Sequence, residues 1–488
     1  MDPIEQTAKL AFAAHNEGRH AEAEALALTL LQINPADPQM LFLLGMVLHK
    51  TNRDAEALIK LNRAAELTPH SARIFSGLGC ACRGLGDETA AAQHFSRAAE
   101  LEPLNADHYY NLGVARHNLG DLDRSLAAFR RVVEINPRDE AGWNNLGKIL
   151  KQFNRFDEAL TAYNRALEIS PGFELARHGR SILLLATGRL AEGFREYESR
   201  SSKTRPREFS QPRWRGESLA GKILFIHAEQ GFGDAIHFVR FVAAVRPLAA
   251  RVILECRPAL KSLFIYAGVA DEVIAFGEPV PPFDFFTSII SLPGMLGVTL
   301  ENIPRHTPYL KTPGGNPLPP ADKGFKKVGI AWAGNPAHSD DASRSRSLET
   351  FSPILQIPNV TFYSLQLPVP ARDQTLFGAL PSLTDLSPQL TDFLATATLV
   401  QQMDLVIAVD TSIIHLAGAL ATPVWTLLQF DADWRWFLDE AETCWYPGMR
   451  LFRQTERRQW SPVILRVAKA LRQFALADTA GKHAPRAV

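Results

Sequence analysis

The stretch HAEQGFGDAIHFVRF occupies residues 227–241, where the apolar run KILFIHA halts at two glycines and an aspartate before apolar residues resume at helical spacing. That order is strand, polar elbow, helix. AVDTSIIHLAGAL at 408–420 repeats it. In open α/β sheets ligands bind beyond the carboxyl ends of the strands, so the two elbows are where chemistry is expected.

Working outward, KILFIHA, RVILEC, DEVIAF and FDFFTSII precede a proline-rich interruption at 307–324, and KKVGIAWAG, VTFYSLQL, DLVIAV and PVWTLL follow it. Apolar strands alternating with helical stretches predict parallel sheets covered on both faces. The interruption divides them into two Rossmann-like halves, residues 222–310 and 325–475, facing a cleft. Residues 199–221, rich in arginine with two prolines and two glycines, read as a linker, and 476–488 as a flexible tail.

Upstream the text changes character. Prolines fall at 35, 69, 103, 137 and 171, a constant step of 34 residues. At this chain's proline content such a series arises by chance roughly once in 10⁵, so it is an internal repeat. Leu44-Gly45, Leu78-Gly79, Leu112-Gly113 and Leu146-Gly147 keep the step, as do Ala57, Ala91 and Ala159, and Leu61, Phe95, Phe129 and Tyr163. This pattern resembles the tetratricopeptide repeat, an α-solenoid of helix pairs. It predicts about six units over 4–198, atypical at both ends where the stack is capped. Asn111 and Asn145 hold equivalent places on adjacent first helices. They are either solvated residues of the inner surface or, as they resemble the ladder in the repeats of protein O-GlcNAc transferases, rungs that hold a peptide backbone, since an amide pairs with both its N–H and its C=O.

The totals exclude several classes. Lys and Arg number 52 and Asp and Glu 52, so net charge draws the chain neither to nucleic acid nor to an anionic membrane. No apolar run reaches the roughly 18–20 residues needed to span a bilayer, which makes a cytoplasmic location the expectation. The four cysteines lack zinc-site spacing, and no compact carboxylate or histidine cluster suggests a cation site, so no metal is expected.

At the first elbow, Gln230, Gly231 and Gly233 permit a tight turn and close approach of an acceptor, with His237 one turn on. Asp234 stands at the helix start either as a cap or as a reactive carboxylate. The spacing is not GxGxxG, so no dinucleotide cofactor is indicated. At the second elbow, Asp410, Thr411 and Ser412 open a helix whose N–H groups suit a phosphate, and His415 lies one turn further. The stretch 431–454 carries Trp434, Trp436, Trp445 and Tyr446, suited to stack a nucleobase, to rim the acceptor entrance or to pack the C-terminal segment across the two halves.

Together the two elbows resemble the paired signature of heptosyltransferase-like enzymes, glycosyltransferase family 9-like proteins of GT-B architecture. The resemblance covers about residues 222–472. It implies that Asp234 is the general base toward an acceptor hydroxyl, and that Asp410, Thr411, Ser412 and His415 hold the diphosphate and sugar of a nucleotide-sugar donor. Ser412 stands where the family usually has glycine. Arg344 or Arg346 would offset the leaving diphosphate, and Gln366 would reach the cleft. No cofactor or metal is implied beyond the nucleotide-sugar co-substrate, and the displacement would invert configuration.

Fusion of this repeat to this fold resembles O-GlcNAc transferases and bacterial TPR-containing protein or flagellin glycosyltransferases. The implied function is transfer to a protein Ser/Thr hydroxyl presented by the repeat groove, with flagellin a candidate. The alternatives are a lipopolysaccharide or polysaccharide acceptor, or a non-catalytic scaffold. The whole reading requires the two elbows to confront each other across a gap that one saccharide can bridge.

Overall fold

The computed structural model describes residues 3–202, 209–315, 317–337, 341–438 and 441–476. The chain divides into two compact units, residues 1–180 and 181–488.

The first unit is a stack of antiparallel helix pairs, such as Ala72–Gly84 with Glu88–Leu101 and Ala106–Asn118 with Leu122–Ile135. The periodic prolines set where each second helix stops. Asn34, Thr68, Glu102, Asn136 and Ser170, each preceding one of them, leave the helix with ψ between 73° and 91°, because the proline ring disfavours an α conformation before it. The periodic glycines set how closely the helices pack. A methyl on Gly79 would lie 2.6 Å from Phe95, one on Gly113 2.9 Å from Phe129, and one on Gly147 3.0 Å from Tyr163. Each ring fills the space its glycine leaves, and adding a carbon there costs about 1–3 kcal/mol. The ion pairs Arg63–Glu66, Arg97–Glu100, Arg131–Glu134 and Arg165–Glu168 also recur every 34 residues, but all are exposed. Such pairs contribute about 0.3–0.5 kcal/mol each, so apolar packing holds the stack.

The boundary differs from the sequence-based one. Leu185, Leu190, Phe194 and Tyr197 are buried in the core that contains Leu224, Ile236 and Phe238. The short helix Leu190–Glu196, expected to close the array at 198, is therefore part of the α/β unit. The expected linker is likewise built in: Trp214 is 4% exposed and its N–H donates to the Phe286 carbonyl at 2.8 Å. Phe209 packs edge-on against Phe225 and Phe283. The arginines and prolines that suggested a tether disguised a few anchoring aromatics. Residues 203–208 of that linker and 477–488 of the expected tail lie outside the described residues.

The α/β unit holds two parallel sheets. The first comprises β1 (Ile223–His227), β2 (Arg251–Cys256), β3 (Glu272–Ala275) and β4 (Phe285–Ser288), in the order β3-β2-β1-β4. The second comprises β5 (Lys326–Ala331), β6 (Val360–Ser364), β7 (Leu383–Asp385), β8 (Leu405–Val409), β9 (Val424–Leu428) and β10 (Met449–Arg453), in the order β10-β9-β8-β5-β6-β7. The central strands are buried along almost their whole length, β8 at all five residues, as covering on both faces demands. In the second sheet the chain runs outward from β5 to β7 on one side and from β8 to β10 on the other. The crevice beyond the ends of β5 and β8 is thus a topological switch point, and β1 and β4 make the equivalent one in the first sheet. Both elbows leave these points.

Candidate active site

The first elbow follows β1. Gln230 takes φ +63°, and its carbonyl accepts two bonds from Arg257, at 2.9 and 3.2 Å, which pin the bend. Behind it lies a buried network: Arg200, 5% exposed, donates to Glu229 at 2.5 Å, to Glu198 at 2.8 Å and to the Ser291 hydroxyl at 2.8 Å. Burial works against ionisation of Glu198, but the Arg200 and Arg213 charges hold its carboxyl below the usual range. Asp234 then serves two purposes. Its Oδ2 accepts from the Gly231 N–H at 2.9 Å, the capping role, while Oδ1 accepts from Arg435 at 2.5 Å.

The second elbow follows β8. Thr411 is the N-cap of the helix Ser412–Ala419, with extended backbone, and its hydroxyl is buried without a hydrogen-bond partner among the described residues. Asp410 Oδ2 accepts from the Trp436 indole N–H at 2.8 Å. Burial, then the nearby Asp433 charge, push the Asp410 carboxyl up to about 6, against the opposing pull of Trp436, Arg344 and Arg435.

The elbows confront each other, and more closely than a saccharide-wide gap at one point. A methyl on Gly233 would lie 2.9 Å from His415 Cδ2 and 3.5 Å from Ser412 Cα. Gly233 therefore admits the opposing helix, not an acceptor, whereas a methyl on Gly231 would meet nothing nearer than Asp234 Oδ2 at 3.2 Å. His237, expected on the acceptor side, is fully buried behind this contact. The Tyr446 hydroxyl lies 2.9 Å from His237 Nδ1 and 2.9 Å from His415 Nδ1. One hydroxyl proton can be donated to only one of them, so the two imidazoles hold opposite tautomers at Nδ1. Burial, then Arg240 and Arg435, keep His237 well below its ordinary pKa, and burial, then Arg435 and Arg240, do the same for His415. Both are neutral parts of an interlock that Arg240 completes, donating to the Trp445 carbonyl at 2.6 Å and to the Tyr309 hydroxyl at 2.9 Å.

The remaining expected residues separate. Arg344 lies beside the loop after β5, its NH2 2.9 Å from where a Gly334 methyl would sit, and its charge acts on Asp410. Arg346 instead covers the Trp460 ring at 5.1 Å and donates to the carbonyls of Ala342 and Ser343. Gln366, expected in the cleft, is 3% exposed: its Oε1 accepts from the Trp332 and Ala333 N–H groups and its Nε2 donates to Pro368 O. A buried amide must spend its bonds locally, and this one shapes the loop after β5. In the repeat unit, Asn111 Oδ1 accepts from Arg83 at 3.3 Å, and Asn145 Nδ2 donates to Ala141 O at 2.9 Å and to the Tyr110 hydroxyl at 3.1 Å. Both amides are thus engaged within the stack.

Nothing in the sequence singles out Arg435 or Arg240 as a site residue, and it marks Trp436 and Tyr446 only as aromatics able to line the cleft or to pack across the halves. The run DADWRW places an arginine between two tryptophans and after two aspartates, a local hint of a stacked cation. No local pattern joins it to Asp234, 201 residues earlier.

The fold and these elbows define an α-helical repeat array followed by an α/β domain of GT-B form. Residues 9–72, 77–140 and 141–173 match tetratricopeptide repeat models, and 372–430 match the model of glycosyltransferase family 9 (heptosyltransferase). The chain thus matches tetratricopeptide repeats in its first part and glycosyltransferase family 9 over a segment of its second. The family 9 match takes in the second elbow; the first lies outside it. Protein FlbA of Caulobacter vibrioides (strain ATCC 19089 / CIP 103742 / CB 15) is 28% identical over 342 residues, covering 62% of this chain and 55% of FlbA. The chain therefore spans about half the length of that curated relative. Among solved structures, a crystal structure of MamA is 23% identical, covering 35% of this chain and 96% of MamA with a TM-score of 0.32. YrrB, a TPR protein with an unusual peptide-binding site, is 21% identical, covering 36% of this chain and 92% of YrrB with a TM-score of 0.33. Among the described residues no helix is long and apolar enough to cross a membrane.

Proposed function

We propose that this chain is a glycosyltransferase that moves a sugar from a nucleotide-sugar donor to a protein Ser/Thr hydroxyl, with inversion, the acceptor being supplied through the repeat array. Flagellin is a candidate acceptor by resemblance. The observation that carries the reading is the direct meeting of the two elbows, with Asp234 on one side and Asp410, Thr411 and His415 on the other. In the reaction, the Asp234 carboxylate takes the hydroxyl proton as the oxygen attacks the anomeric carbon. The bond from that carbon to the diphosphate oxygen breaks, and the nucleoside diphosphate leaves with the electron pair. The orphaned Thr411 hydroxyl and the start of the helix Ser412–Ala419 suit the leaving oxygens, because N–H groups there have no helical partner. Arg344 supplies the nearest expected positive charge at that elbow.

The test is intact-mass analysis of candidate acceptor proteins, flagellin first, co-expressed with the wild-type chain or with Asp234→Asn. A sugar-sized mass gain that disappears in the variant supports the reading. A gain that survives in Asp234→Asn refutes the role of the base, and an unchanged mass across acceptors refutes the protein acceptor.

A further inference from the structure

Residues 435 and 436 are neighbours in one short 3₁₀ turn, Trp434–Trp436, yet each holds a different elbow. Arg435 donates to Asp234 of the first, and Trp436 donates to Asp410 of the second. The guanidinium is 6% exposed, lies over the faces of Trp434 (4.5 Å) and Phe238 (5.3 Å), and donates a further bond to Asp433 at 2.8 Å. Its Nε is buried with no partner among the described residues. The next residue, Phe437, takes φ +51° with ψ −159°, a conformation that a bulky side chain rarely adopts. This strained residue directly follows the two that grip the elbows, and strained backbone clusters at switch segments.

The charges make this arrangement consequential. Three carboxylates, Asp234, Asp410 and Asp433, share the field of Arg435, and the Arg435 charge is felt at Asp410 as well as at its two direct partners. A diphosphate arriving at the second elbow brings further negative charge beside Asp410. It binds favourably only where a cation can turn to it, and a guanidinium with an unused N–H edge suits phosphate oxygens.

We propose that Arg435 is a gate between the two substrates: in the free protein it occupies the Asp234 carboxylate, and a nucleoside diphosphate group draws it away, so that donor binding frees the base for the acceptor hydroxyl. This rests on the donor-site reading above and adds an order to it. The base is masked until the donor is in place, which suppresses proton abstraction without a sugar to transfer.

Competition for one cation predicts a specific non-additivity. The full chain is titrated calorimetrically with UDP, GDP, ADP, CDP and TDP separately, and the nucleotide bound by wild type is carried through Asp234→Asn, Arg435→Gln and the double variant. Releasing Arg435 by Asp234→Asn tightens binding about 5- to 50-fold, within the usual span of coupling between sites. Arg435→Gln weakens it about tenfold or more, and the double variant matches Arg435→Gln, because there is no longer a cation to release. If Arg435→Gln does not fold, Arg435→Lys, which cannot bridge two carboxylates through two nitrogens, takes its place in the cycle. An equal gain from Asp234→Asn with and without Arg435 would mean simple charge repulsion and overturn the gate alone. So would an affinity indifferent to Asp234. Failure of all five nucleotides to bind wild type would overturn both the gate and the donor reading.

Discussion

Gly233→Ala tests whether the elbows are locked together as described. Alanine inside the helix Phe232–Phe238 should by itself stabilise, since glycine is about 0.5–1 kcal/mol poorer than alanine there. Opposing this, the new methyl would stand 2.9 Å from His415 Cδ2, closer than carbon atoms approach without displacement. The ring cannot easily yield, because it stacks on Trp436 at 5.4 Å and is bonded to the Tyr446 hydroxyl. Overpacking of this kind costs about 1–3 kcal/mol, which exceeds the helical gain and makes the single variant less stable. With His415→Ala the obstruction is gone, and the nearest backbone atom, Ser412 Cα at 3.5 Å, is in ordinary contact. In that background Gly233→Ala should change sign and stabilise by up to about 1 kcal/mol. Urea unfolding followed by tryptophan fluorescence reads the relevant unit, since seven of the eight tryptophans, all but Trp143, lie beyond residue 180. Equal effects of Gly233→Ala with and without His415 would refute the interlock.

Two further outcomes follow from the charges. Because the native state raises the Asp410 pKa to about 6 from an ordinary 3.8, it binds that proton more tightly than the unfolded chain does. Stability should therefore fall as pH rises through roughly 4 to 6, by up to about 3 kcal/mol; the drop should vanish in Asp410→Asn, and unfolding curves of identical pH dependence would refute it. Arg344→Ala should weaken nucleoside diphosphate binding roughly tenfold to a hundredfold, the range for a charged hydrogen bond, while Arg346→Ala changes affinity little. A reversed order in calorimetric titration would place Arg346 at the elbow instead.

What was legible in the sequence was what repeats locally. The step of 34 residues set the helix pairs because proline acts on its immediate neighbour and glycine on a ring sixteen residues away, as in Gly79 and Phe95. Both elbows could be read because the change from strand to helix is written within a dozen residues. The edge strands β7 and β10 escaped notice for a related reason. One has three residues, and the other, MRLFR, is interrupted by Arg450 and ends on Arg453, so neither shows the buried run of β8. The end of the array was misplaced because Leu190 and Phe194 fit a helix-pair pattern equally well whichever core receives them. Gln366 and Arg346 looked available for a ligand because sequence gives residue type but not how many of its bonds are already used.

The two elbow aspartates, alike in sequence, have different surroundings. Asp234 accepts from a guanidinium at 2.5 Å and from a backbone N–H at 2.9 Å. Burial and the nearby Asp433 charge favour the proton on Asp410, against the pull of the Trp436 indole N–H, Arg344 and Arg435. On the proposed function Asp234 faces the acceptor hydroxyl and Asp410 the donor, and both are tied to adjacent residues of one turn. The pair Arg435-Trp436 sets a cation against Asp234 and a neutral indole against Asp410, so any movement of this one turn acts on both elbows at once.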